Sequence, residues 1–348
     1  MKSWPEKNLV VHAPNIHQGG GFVLLHELLQ VGNLPLRRAF LDARIQQQLS
    51  LGFDANIRYV QRSLLGRLWA EWQLWLTGKS DDKLLCFHGL PPLFPYKGSV
   101  VVFIQNRLLI ENCSLADYPL PVRARLWLER IWFGILQGRC SKYIVQTPSM
   151  AASMKLLLRR DVPISVLPFM PADHLVTDPC HGVARRKFDF VYVASGEAHK
   201  NHRNLIEAWR LLCVAGYRPS LALTLDTDAY SDLCSLIDEC VVAHGLAVTN
   251  LGVLLSSEAV DALYRSAGAM IYPSKTESFG LPLIEAAQRG LPVLASELDY
   301  VRDVIEPAET FDPNSAVSIA RAVRRFLGIA ERPIKIGNAA SFMDEVLR

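Results

Sequence analysis

The sequence predicts an α/β protein of two halves in tandem, each built on its own open parallel sheet. Three observations predict this. Short apolar runs that read as strands buried on both faces alternate with longer helical stretches, from residue 8 to residue 327. The length of 348 residues, half of them apolar, suits two domains with a core each. A stretch rich in proline and polar groups, from Leu167-Pro-Phe-Met-Pro171 to Arg185-Arg-Lys187, interrupts the alternation and reads as a linker. The expected division is a first lobe over 1–168, a linker over 169–187, a second lobe over 188–335 and a final helix over 336–348.

In the first half, strands are expected at 8–13, 38–43, 56–61, 84–88, 99–105 and 142–147, the last being the final strand of that half. The first runs into Pro14-Asn-Ile-His-Gln-Gly19-Gly-Gly21, with a helix expected over 22–31. Strand, glycine-rich loop and helix in that order present backbone N–H groups at the carboxyl edge of a sheet. The glycines do not follow Gly-x-Gly-x-x-Gly and no acidic residue is placed for a dinucleotide ribose, which excludes a nicotinamide site. Trp69, Trp72 and Trp75 recur at a spacing of three and read as the packed face of a helix. His88-Gly89 and Gln105-Asn106-Arg107 each follow a strand, at the edge where ligands bind. Gln105 and Asn106 suit the hydroxyls of an acceptor sugar and Arg107 a phosphate, so these three are candidate acceptor contacts. Between residues 120 and 138, Arg123, Arg125 and Arg130 lie among Trp127, Trp132 and Phe133. Such a helix either packs in a core with its arginines in water or lies on a bilayer surface. A further helix is expected through Met154 to residue 160.

The second half opens with a strand over 188–194 and a helix over 201–214, joined by Ser195-Gly196-Glu-Ala-His-Lys200. Lys200 at the mouth of a helix N-terminus is placed to neutralise a diphosphate. A strand over 221–225, a helix over 232–244, a short strand from Val248 and a helix over 257–266 follow, then a helix over 317–327.

The stretch from Ile271 to Ser296 carries the most chemistry. It reads as a strand ending near Pro273, a polar loop with Glu277, a helix with Glu285, and a second strand over 291–295. Pro282 suits the first helical turn, and Gly290 with Pro292 marks the stop. The helix aims its N-terminus, near Gly280 and Leu281, back at the loop, and such an end receives anions. Phosphate on the amides and sugar hydroxyls on the two carboxylates together describe a nucleotide-sugar. Two glutamates eight positions apart are common; Ser278-Phe279-Gly280-Leu281-Pro282 between them makes the pattern specific.

The whole stretch resembles the Glu-x7-Glu signature of the family 4 glycosyltransferases of GT-B fold, in which two Rossmann-like doubly wound parallel-sheet lobes face a central cleft. The likeness is clearest over 188–327. It implies retaining transfer of a sugar from a nucleotide-diphosphate donor to a hydroxyl of a glycan or lipid-linked acceptor, with no metal and no cofactor, as in surface polysaccharide synthesis. It also implies that the last helices cross back to the first lobe. By the same resemblance Lys200 and Glu277 are catalytic. Gly20, Gly21, Gly196, Ser278, Phe279, Gly280, Leu281 and Glu285 bind the donor, with Leu251, Gly252 and Val253 beside its base. Two departures stand out: the family often has a histidine near Gln105 or Asn106, and usually an arginine at the position of Ser195. They leave open a sugar-binding or scaffold subunit without activity, and a nucleotide-sugar epimerase or hydrolase remains an alternative too.

The net charge of +3 is unevenly spread, with +10 over residues 1–187 and −7 over 188–348. The basic half is either a solvated face or one that meets something anionic, such as a membrane surface or a phosphate-bearing acceptor. No nucleic-acid partner is expected. The seven cysteines form no Cys-x-x-Cys pair and read as single thiols in a reducing compartment. No apolar run spans a bilayer and residues 1–7 lead into a strand without a signal core, so the expected location is cytoplasmic, peripheral on the inner membrane face at most.

Overall fold

The computed structural model describes residues 8–31, 34–49, 56–111, 118–170, 186–254 and 256–329. The first lobe runs β1 (Leu9–Ala13), α1 (Gly19–Leu29), β2 (Leu36–Asp42), β3 (Asn56–Val60), α2 (Leu64–Thr77), β4 (Lys83–Cys86), β5 (Ser99–Phe103), α3 (Leu120–Leu136), β6 (Lys142–Val145), α4 (Pro148–Leu157) and β7 (Ile164–Val166). The second runs β8 (Phe188–Tyr192), α5 (His202–Val214), β9 (Leu221–Leu223), α6 (Ser231–His244), β10 (Val248–Asn250), α7 (Ser257–Arg265), β11 (Ala267–Tyr272), α8 (Leu281–Gln288), β12 (Val293–Ser296), α9 (Asp299–Arg302), β13 (Glu309–Phe311) and α10 (Ala316–Phe326).

Two sheets result, of order β3-β2-β1-β4-β5-β6-β7 and β10-β9-β8-β11-β12-β13, and all their pairings are parallel. This is the GT-B arrangement of two Rossmann-like doubly wound lobes. In each sheet the strand order reverses beside the first strand, between β1 and β4 and between β8 and β11. At such a reversal the crossover helices leave to opposite faces, so a crevice opens at the carboxyl ends. The alternation of Val10 and Val11 shows why both faces are apolar: Val10 packs into one buried cluster of the first lobe and Val11 into the other. The second lobe buries its core as one cluster from Phe188 to Val323.

Several expectations are corrected. The helix expected from residue 22 begins at Gly19, so the three glycines form its first turn instead of a loop. The strand at 142–145 is not the last of its half, because Ile164–Val166 adds an edge strand. Trp69, Trp72 and Trp75 do not form a packed face; they are 39–45% exposed, while Ala70, Glu71 and Leu74 face inward. Cys86, Cys140, Cys213, Cys234 and Cys240 are free thiols, three of them buried. Most of the linker, at 171–185, and the helix expected over 336–348 lie outside the described residues.

Candidate active site between the lobes

The reversal point of the second sheet collects the charged residues of the site. The loop after β8 carries Lys200, and the loop after β11 carries Glu277. Lys200 Nζ donates to Glu277 Oε1 at 2.6 Å, and both side chains are mostly buried, 15% and 12% exposed. The same oxygen accepts from Ser274 Oγ at 2.6 Å and Tyr272 Oη at 3.0 Å. Burial by itself would raise the carboxyl pKa. The charge of Lys200 and the hydrogen bonds donated by Lys200 and Ser274 outweigh it and hold Glu277 below its ordinary value, hence ionised. The His199 pKa is lowered too, first by burial and then by Lys200, so its ring is neutral.

The loop geometry explains how Lys200 is held. Asn201 sits in the left-handed region at φ 64°, a conformation that asparagine tolerates better than most residues. Its buried amide donates to the carbonyls of Pro273 (3.0 Å) and Pro313 (2.7 Å). The His199 carbonyl accepts from Lys275 N at 2.8 Å, and Tyr192 Oη donates to the Lys200 carbonyl at 2.8 Å. These bonds strap the two loops together, so the ion pair is preorganised by backbone and amide contacts. Asn201, Tyr272 and Ser274 are the residues whose positioning role sequence reasoning missed. The only signals for them were an asparagine at the expected start of a helix and a serine just after an apolar run.

Helix α8 starts at Leu281 after Gly280 at φ 74°, with Pro282 in its first turn. Helices α2, α4, α7 and α10 are closed by a Ser or Thr side chain, whereas α1, α5 and α8, which start at the two reversal points, are not. Helices α3, α6 and α9 also lack a side-chain cap, so that feature supports an anion site there without marking one alone.

The first lobe closes over this region. A Cβ built on Gly20 would lie 3.5 Å from Leu281 Cδ1, and one on Gly21 would lie 3.3 Å from Gln105 Oε1. Gly20 thus faces the mouth of α8 with room for a Cβ in ordinary contact, while Gly21 faces Gln105 within its own lobe. Ser278 Oγ accepts from the Arg107 backbone N–H at 2.9 Å. The Arg107 side chain is 6% exposed and bonds Glu111 at 2.5 Å and Asp299 at 2.7 Å. Its guanidinium is therefore engaged in joining the lobes, where sequence reading had offered it to an acceptor phosphate. Asn106 Oδ1 accepts from Leu108 N at 3.0 Å, and Gln105 Nε2 donates to the Phe87 carbonyl at 2.6 Å.

The remaining candidates fall into two places. Gly196 lies against Tyr230, whose Cγ would be 2.4 Å from an added Cβ, so only glycine fits there. Glu285 accepts from Tyr264 Oη at 3.4 Å on α8. Phe279 is half-buried in the loop after Glu277. Leu251, Gly252 and Val253 follow β10, the outer strand, two strands away from β8. Leu251 and Val253 are exposed, and Gly252 turns the chain at φ 75°.

Comparison with known proteins bears on this arrangement. Residues 179–341 match the family described as glycosyl transferases group 1. The serotype-specific mannosyltransferase WbdA of Escherichia coli is 38% identical over 79 residues, 22% of this chain and 10% of that protein. The O-antigen chain mannosyltransferase B of Escherichia coli is 30% identical over 139 residues, 39% of this chain and 36% of that protein. The chain thus spans about a tenth and about a third of these two relatives. Among solved structures, Anabaena Alr3699/HepE in complex with UDP and glucose superposes at a TM-score of 0.66 and 15% identity, covering 92% of this chain and 89% of that one. The apo form of the lipopolysaccharide outer core galactosyltransferase WaaB gives a TM-score of 0.60 at 13% identity, covering 93% and 91%. At such identities the likeness is one of fold.

Proposed function

We propose, from the match of residues 179–341 to glycosyl transferases group 1 and from the GT-B fold of the whole chain, that this protein transfers a hexose from a nucleotide-diphosphate sugar to a hydroxyl of a glycan or lipid-linked acceptor, with retention and without a metal at the donor. The relatives named as a serotype-specific mannosyltransferase and an O-antigen chain mannosyltransferase favour surface polysaccharide synthesis and a mannosyl donor.

The observation that carries this reading is the buried Lys200–Glu277 pair, set where the carboxyl edge of the second sheet meets the first lobe. When the glycosidic bond to the diphosphate breaks, negative charge grows on the β-phosphate. Lys200 and the N-terminus of α8 are preorganised for an anion at that place, and preorganised charge acts most strongly where charge develops. Glu277, already ionised, accepts hydroxyl hydrogen bonds from the donor sugar and steadies positive charge on its anomeric carbon. Glu285 serves the ribose. Approach of α1 through Gly20 excludes water from the reacting carbon. With the donor in place, Lys200 turns its charge from Glu277 toward the phosphate, so the pair in the free protein holds the lysine ready.

The test is turnover of Lys200→Ala with GDP-mannose, UDP-glucose and ADP-glucose in the presence of a glycolipid extract. Losing one such donor costs on the order of 10²–10³ in turnover, while nucleotide affinity by thermal shift falls only a few-fold. Unchanged turnover removes Lys200 from the mechanism. Nucleotide release that is independent of the extract favours hydrolysis over transfer.

A further inference from the structure

Beneath the carboxyl ends of β1 and β4 lies a group of side chains that the transfer chemistry does not use. His12 of β1 is fully buried, and neither ring nitrogen has a hydrogen-bond partner among the described residues. Glu71 of α2 is 1% exposed; Oε2 accepts from Leu93 N at 2.8 Å, and Oε1 has no hydrogen-bond partner among the described residues. His88, just after β4, directs Nδ1 to the carbonyl of His12 at 3.1 Å, and its Nε2 has no such partner. A ring that donates through Nδ1 presents a lone pair at Nε2, and a carbonyl on the far nitrogen is the usual support of a metal-binding histidine.

These atoms converge. His12 Nδ1 is 3.9 Å from Glu71 Oε1, and the two imidazoles meet edge to face with centroids 4.7 Å apart. One donor atom from each of the three residues lies within 4.8 Å of the others. Ligands of one tetrahedral zinc lie about 3.3 Å apart, so rotations of roughly an ångström suffice to close the set. Each buried polar atom left unpaired destabilises a fold, and three at one point call for one partner.

We propose that His12, Glu71 and His88 bind a borderline divalent cation of the zinc type, tying β1, α2 and β4 together in the first lobe. Two imidazoles and one carboxylate are a set that zinc accepts with a fourth position open, whereas magnesium and calcium require mostly oxygen. His88 is the only one of the three that is partly exposed. The Arg67 guanidinium, seated on the Trp132 ring at 4.9 Å, is the neighbouring cation. It opposes a second positive charge and so limits the affinity, and removing it tightens the site. The proposal is independent of the transfer reading, since it concerns metal uptake and not turnover.

The test is titration of the chelator-dialysed full chain with Co²⁺, read by visible absorption. The expected result is one equivalent with the intense spectrum of a tetrahedral ion, displaced by Zn²⁺. His88→Gln abolishes it, Arg67→Met shifts the midpoint several-fold lower, and His244→Gln on the surface leaves it unchanged. Zn²⁺ also raises the thermal midpoint of the wild type with the logarithm of its concentration. Absence of a stoichiometric tetrahedral signal in the wild type overturns the site whatever the variants do, and equal uptake in folded His88→Gln does the same.

Discussion

Glu277 keeps its charge because Lys200 outweighs the burial of both, and this sets the behaviour of the site in acid. Its folded pKa lies below the ordinary 4.5, so the pair stabilises the fold in full above that value and loses its contribution as pH falls through the lower folded value. Glu277→Gln removes the charge that pairs with Lys200 and leaves a weaker carbonyl acceptor, whereas Glu285→Gln removes the charge of the acid that accepts from Tyr264. Isothermal titration is therefore expected to show the larger loss of free-nucleotide affinity for Glu285→Gln, and the larger loss of turnover for Glu277→Gln. The reverse order means the two acids hold opposite ends of the donor. His202 acts over a different range. It is buried against Tyr192, and burial, aided by Lys200, takes its pKa down to about 3. The unfolded chain then holds one more proton on it between pH 6.5 and 3, so stability falls as pH drops through that window, by about 1.4 kcal/mol per unit. Urea unfolding at pH 6.5 and pH 5 is expected to show a drop in the wild type about 2 kcal/mol larger than in His202→Gln. Lys200 was legible because it stands at the mouth of an expected helix, and Glu277 because Ser278 to Pro282 separates it from Glu285 in a specific pattern. Their pairing was not, because it depends on Asn201 adopting φ 64°.

Among the elements, α8 shows how a helix start is made into a site. Gly280 and Gly290 flank it, and both have positive φ, 74° and 68°. An added Cβ on Gly290 meets nothing within 4 Å, but on Gly280 it lies 3.0 Å from Leu283 Cδ1. Gly290→Ala is expected to cost about 1–2 kcal/mol from backbone conformation alone. Gly280→Ala costs more and also displaces the N-terminus of α8, so thermal unfolding ranks Gly280→Ala below Gly290→Ala and nucleotide affinity drops in the former only. The sequence showed this element in full because proline near the start and glycine at the stop have steric causes. It showed less of its neighbours. Edge strands β7 and β13 are three residues each, Ile164-Ser-Val166 and Glu309-Thr-Phe311, too short and too polar to produce a period. The tryptophans of α2 misled for another reason: a spacing of three identifies a stripe, and only packing says whether the stripe faces the sheet or the outside.

At the scale of the molecule, the tandem architecture was legible from alternation alone, while the contacts joining the lobes were not, since they link residues 154 to 192 positions apart. Arg107–Asp299 and Ser149 N–Asp303 (3.1 Å) are such contacts. Arg107→Leu is expected to leave each lobe folded and to enlarge the radius of gyration in small-angle scattering, and an unchanged radius would show that other contacts hold the closed form. The outer face of the first lobe leads to the last prediction. Helix α2 exposes Leu64 (85%), Leu65, Leu68, Trp72 and Leu76, and α3 exposes Leu120, Trp127 (61%), Leu128 and Ile135 (72%). Arg67 of α2 over Trp132 of α3 shows that the two helices are neighbours, and both pack on the same buried cluster with these side chains on the outer face. Exposed Arg123 and Arg125 border it, in the half of the chain with net charge +10. No helix among the described residues is long and apolar enough to cross a membrane. Apolar and aromatic side chains edged by arginine are what an interfacial contact with anionic lipid requires. Each arginine near such a surface contributes about 1 kcal/mol. Arg123→Gln with Arg125→Gln should therefore weaken co-sedimentation with phosphatidylglycerol vesicles roughly 30-fold at low salt, and Trp72→Ser with Trp127→Ser should weaken it with neutral vesicles as well. Binding that neither pair of substitutions reduces would leave these stripes with another role.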